Sequence, residues 1–102
     1  MVTELINTIE KAALLFGSGR SGVDRAIAVI RQINQKGRLK HEDLLQLSNY
    51  VPGVYLTLAA HLEISPTELR ERMQGGLLTA EVGITELNNA IYNRYLATPT
   101  NG

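Results

Sequence analysis

The residues best able to carry chemistry in this chain are a glycine cluster, two histidines and a set of carboxylates near helix starts. Gly17, Gly19 and Gly22 spell G-x-G-x-x-G, the spacing with which a loop brings backbone N–H groups against a pyrophosphate. That chemistry needs a strand feeding the loop, so that a sheet edge and a helix N-terminus meet at the ligand. Here the preceding residues have helical spacing, and Val23-Asp24 stand where a phosphate loop carries lysine then serine or threonine. The loop therefore reads as a helix–helix turn, with Ser21 as N-cap of the next helix. His41 and His61 fall on different helices without a partner at a metal-ligand spacing, and both read as polar surface residues. Without cysteine there are no disulfides, thiolate metal sites or cysteine nucleophile. Glu42, Asp43, Glu68 and Glu71 lie at helix starts or on helix surfaces, where capping and the helix dipole account for them. The residues nominate no catalytic, cofactor-binding or metal-ligating set. The chain reads as a non-enzyme with no cofactor.

A chain of 102 residues fits one domain. Its 10 basic and 10 acidic residues give no overall attraction to nucleic acid or to an anionic membrane. The distribution is uneven: six basic residues and one acid lie between Gly17 and His41, against seven acids and two arginines between Glu42 and Ile91. No apolar run approaches the ~18 residues of a membrane-spanning helix, and no export signal opens the chain.

The elements that would position these residues are helices. Val2, Leu5, Ile6, Ile9, Ala12, Ala13 and Phe16 form one apolar stripe, and Val23, Ala26, Ile27, Ile30 and Ile33 a second, ending near Gln35 with Gly37 beyond it. Leu39, Leu44, Leu45 and Leu47 mark a short third helix. Pro52-Gly53 breaks it, with Pro52 suited to the first turn of the next helix, whose buried face is Val54, Tyr55, Leu58, Ala59 and Leu62. At the following junction Ser65 is the expected N-cap, Pro66 the first helical residue, and Glu68 the far half of a capping box, with Ile64 and Leu69 as a hydrophobic staple. Gly75-Gly76 ends that helix, and Thr79 caps a last one with the stripe Ala80, Ile84, Leu87, Ile91 and Tyr95. Ala80, Gly83, Leu87 and Ala90 give it a narrow face for close contact. One phrase, Gly-x-Leu-x-x-Glu, occurs at Gly37-Leu39-Glu42 and again at Gly76-Leu78-Glu81, closing one helix and opening another each time. No alternation long enough for a strand appears. The expected fold is all-α: a compact bundle of five or six short helices over residues 1–96, with 97–102 a disordered tail.

Residues 56–73 have the rhythm of a helix-turn-helix, with Arg70 and Arg72 on the second helix. Glu68 and Glu71 cancel that helix's charge, Glu63 occupies the turn where glycine is often needed, and the more basic stretch lies elsewhere. The balance argues against duplex DNA as the partner and leaves a small DNA-binding regulator as the alternative reading.

The ordered succession Gln35, Gly37, Leu39, Glu42, Leu44, then Leu47-Ser48 and Val51-Pro52-Gly53, then Leu58-Ala59, Leu62, Ile64-Ser65, Glu68-Leu69 and Met73, and finally Gly76, Leu78, Thr79, Ala80 and Glu81, resembles the tape measure domain of tail tape measure proteins from phages and prophages. The likeness covers roughly residues 30–91. It implies a structural protein that acts in tail assembly and length determination, with tail proteins, tail-assembly chaperones or further copies of itself as partners. The implied location is the virion tail, or the bacterial host cytoplasm during assembly. Glu63 departs from the glycine usual before the Ile-Ser cap. A ruler also needs length at ~1.5 Å per helical residue; the expectation is therefore an excised domain or a short stand-alone relative.

Overall fold

The computed structural model describes residues 2–97, which form α1 (Val2–Leu15), α2 (Gly19–Lys36), α3 (His41–Leu47), α4 (Val54–His61), α5 (Pro66–Gln74), α6 (Ala80–Ile91) and a π-helical turn (Tyr92–Leu96). The all-α expectation holds, with six short helices. The tail expected for 97–102 lies, from residue 98 onward, outside the described residues.

Helix α6 is the central strut. It packs against α1, α2 and α4, while α3 and α5 close the far side through α2 and α4. The apolar stripes point where their spacing requires: Leu5, Ile9, Ala12 and Ala13 of α1, Val23, Ala26, Ile30 and Ile33 of α2, and Ile84, Leu87 and Ile91 of α6 are all buried. One polar tie crosses this core, with Thr8 Oγ1 donating to Asn88 Oδ1 between α1 and α6. The Cα radius of gyration is 12.8 Å, and the longest dimension is 40 Å. Among the described residues, no helix is long and apolar enough to cross a membrane.

Several local expectations need correction. Ser21 lies inside α2 and caps nothing, because Gly17 (φ 75°) turns the chain early and the helix already begins at Gly19. Ser18 takes the cap position with helical dihedrals, and its hydroxyl donates to the Tyr50 carbonyl at 3.0 Å. Gly22 is buried beneath Ser18 and Tyr50, so the third glycine of the cluster is a packing residue. Pro52 precedes α4 and does not enter its first turn; Gly53 in the left-handed conformation stands between them. Leu45 is exposed, and Phe16 lies past the end of α1, 42% exposed. The capping box at Ser65 is half formed. Ser65 Oγ accepts from Glu68 N at 3.0 Å, but the Glu68 carboxylate turns to Arg72 at 2.8 Å, an i, i+4 partner one turn along.

Candidate interaction surface

The two Gly-x-Leu-x-x-Glu phrases meet in space. Gly37 and Gly76 both take the left-handed conformation (φ 83° and 72°), which a side chain would resist, and each releases the chain after a helix. Three residues on, Lys40 and Thr79 hold equivalent N-cap positions for α3 and α6. The intervening backbones pair: Leu39 N donates to Leu78 O at 3.0 Å and Ala80 N to Gly37 O at 2.9 Å, flanking an antiparallel bridge between Arg38 and Thr79. The pairing satisfies backbone groups that no helix supplies with partners. Leu39 and Leu78 are buried beside it. Gly83 makes room on α6, because a Cβ there would lie 2.9 Å from Leu39 Cβ. The phrases are thus the two halves of one clasp.

The acidic residues at the ends of the phrases stand in the first turns of α3 and α6, where the helix dipole favours them. Glu42 and Glu81 are exposed. In α3 the capping carboxylate is that of Asp43: its Oδ2 accepts from Lys40 N at 2.9 Å, while Oδ1 takes the Lys36 ammonium at 2.7 Å. The Asp43 side chain is only 4% exposed, so this ion pair joins the end of α2 to the start of α3 largely out of water. In α6, Thr79 Oγ1 accepts from Val82 N at 3.2 Å.

The Ser65 corner, with Pro66 opening α5, follows a helix end closed on glutamate. Glu63 has φ 60°, with Glu63 N donating to Ala60 O at 3.1 Å and Ile64 N to Ala59 O at 3.0 Å. These two bonds define a Schellman closure, usually built on glycine. Of the two arginines that a DNA-reading α5 would offer, Arg72 is held by Glu68 and Arg70 is exposed.

The histidines are more engaged than surface residues. His41 Nδ1 lies 2.9 Å from Tyr55 Oη, with the rings edge to face at 5.4 Å, and His61 Nε2 lies 2.9 Å from Glu86 Oε1, tying α4 to α6. Burial pushes the Tyr55 phenol above its ordinary range, and the nearby Arg70 guanidinium pulls it back in part.

Two surface features were missed in the sequence reading. Leu14, Leu15 and Phe16 are consecutive and 53%, 64% and 42% exposed, a run of apolar residues turned toward solvent at the end of α1. Phe16 rests edge-on against Tyr95 at 5.3 Å, linking this run to the π-helical turn that also carries the exposed Tyr92. The available signal was that Leu14 and Leu15 fall off the α1 stripe. The second feature is a groove of about 480 Å³ between α4 and the end of α6, with Leu56 exposed at its wall and Ala60 and Ala90 lining it. The π-helical turn fixes one side of it: Tyr95 Oη donates to Pro52 O at 3.2 Å and lies 3.0 Å from Thr57 Oγ1. Comparison with family models, curated proteins and solved structures finds no match for this chain.

Proposed function

We propose that this chain is a structural interaction domain of the tail tape measure type, from a phage or prophage, acting in tail assembly and length determination through protein–protein contacts and not through catalysis. The resemblance over residues 30–91 supports the assignment to that class. The observation that carries the interaction role is the exposed run Leu14-Leu15-Phe16. Three consecutive large apolar side chains in water are a liability for a free surface and are retained where a partner covers them. A body 40 Å long spans too little to measure a tail; in this reading it is a docking module, and tail or tail-chaperone proteins, or further copies of itself, are the partners. It works in the virion tail, or in the host cytoplasm during assembly.

The test is sedimentation of the purified chain alone and with tail-tube and tail-assembly chaperone proteins encoded beside it. Association should be present and should weaken in Leu14→Ser and Leu15→Ser. Both substitutions should leave thermal stability within about 0.5 kcal/mol, because neither side chain is buried. A chain that stays monomeric, ignores every tail component and binds duplex DNA with steep salt dependence would overturn the reading. That outcome, lost on changing Arg70 and Arg72, would establish the helix-turn-helix regulator instead.

A further inference from the structure

Three of the chain's ten lysines and arginines are ion-paired among the described residues. Arg20 is matched by Glu10 at 3.3 Å and Asp24 at 3.6 Å, Lys36 by Asp43 at 2.7 Å, and Arg72 by Glu68 at 2.8 Å. Arg38, Lys40 and Arg70 have no ion-pair partner among the described residues, yet they line one cleft of about 280 Å³. Arg38 and Lys40 reach it from the clasp between α2 and α3, and Arg70 from α5. Glu42 also lines the cleft, which leaves a formal charge of three minus one, or +2, from these four side chains.

Arg38, Lys40 and Arg70 are exposed, so their mutual repulsion in the empty protein is small, while an anion seated between them gains a charge-assisted contact from each. The Arg38 backbone is held by the bridge to Thr79, and one of its guanidinium nitrogens lies 3.5 Å from where a Cβ on Gly76 would stand, so the cleft wall passes over the turn at the second phrase. Two guanidinium groups offer planar donor pairs that match tetrahedral oxyanions, the Lys40 ammonium adds a point charge, and the Gln74 amide supplies a neutral donor. His41 also lines the cleft, held from behind by its contact with Tyr55.

We propose that this cleft binds a compact dianionic oxyanion of the phosphate-monoester class. The charge count decides the class. A phosphate monoester carries close to two negative charges at neutral pH, whereas each phosphodiester of a nucleic acid carries one. A duplex also needs an extended basic track, and α5 presents Glu68 and Glu71 beside Arg70.

The experiment is an amide NMR titration of the full chain at constant ionic strength with inorganic phosphate, O-phosphoserine and a short duplex DNA. Phosphate and phosphoserine should give saturable shifts centred on residues 38–42 and 74–76. A larger response to phosphoserine identifies an ester as the source; an equal one identifies the free ion; either supports the site. Arg38→Gln and Arg70→Gln should each weaken binding about tenfold, the loss expected for one charge-assisted contact, and Arg25→Gln, outside the cleft, should leave it unchanged. Thermal shift by phosphate provides a second reading, present in the parent chain and reduced in Arg70→Gln at the same phosphate concentration, while the unliganded melting temperature of that variant stays in place. Shifts that fail to saturate, equal weakening by Arg25→Gln, or preferential binding of the duplex centred on Arg70 and Arg72 would each overturn the proposal.

Discussion

Replacing Glu63 by glycine should stabilise the protein. Three helices here end in the same two-bond closure. At α1 it is Gly17 N to Leu14 O at 3.0 Å with Ser18 N to Ala13 O at 3.1 Å; at α5, Gly76 N to Met73 O at 3.1 Å with Leu77 N to Arg72 O at 3.0 Å. The α4 closure is equivalent, but a glutamate occupies the left-handed position at φ 60°. An L-residue there carries a steric penalty of roughly 1–2 kcal/mol, from Cβ against the carbonyl oxygen. Glycine removes the penalty but restores about 0.4–1 kcal/mol of unfolded-state entropy. The expected net gain is about 0.5–1 kcal/mol, or about 2–6 °C in melting temperature for a domain of this size. Equilibrium urea unfolding should show a higher midpoint at an unchanged slope. Glu63→Ala separates the causes, since it removes the carboxylate and keeps the strained backbone; it should change stability little. A Glu63→Gly chain no more stable than Glu63→Ala would refute the strain account, and the left-handed turn would then have to be held without cost.

Tyr95→Phe should cost about 1 kcal/mol, the net value of hydrogen bonding lost to Thr57 and Pro52, with hydrogen exchange rising at the start of α4 as the check. Gly83→Val should cost about 2 kcal/mol or more by chemical denaturation, because its Cβ meets the Cβ of Leu39, whose backbone is fixed by the clasp; Asn89→Val on the exposed face should cost far less. Tyr55 should ionise above the ordinary tyrosine value of about 10, read as phenolate absorbance by difference against Tyr55→Phe. Its folded value is the higher one, so its contribution to stability is complete below about pH 10 and is lost as the pH rises through the folded value. Arg70→Gln removes the opposing charge and should raise the Tyr55 midpoint further.

The bundle was largely legible in the sequence because burial and helix punctuation are local and periodic. The α1, α2 and α6 stripes follow from spacing alone, and Ser65 and Thr79 cap as their side chains require. What escaped was set by competition or by distance. Ser21 lost the cap position because the chain had already turned at Gly17. Glu68 had two partners within reach and took Arg72 over the Ser65 backbone. The π-helical turn, closed by Ala97 N to Tyr92 O at 2.7 Å, leaves no periodic trace. The repeated phrase was visible as an echo, but nothing in either copy says that the two pair with each other. The cleft could not be read at all: Arg38 and Arg70 become neighbours only through that pairing and the packing of α3 against α5.

The clasp between the phrases also changes how the chain's length is distributed. Because Gly37 O and Ala80 N are bonded at 2.9 Å, the chain leaves the α1–α2–α6 platform and returns to it at one point. Helices α3, α4 and α5 are an excursion of about forty residues from that point, whose closure entropy is about 3 kcal/mol and grows only with the logarithm of its length. Doubling the excursion would add only about 0.6 kcal/mol. Extra residues at its exposed turns therefore cost the platform little, and the excursion is the part of the domain in which new length or new partners can be accommodated while the clasp keeps α2 and α6 in register.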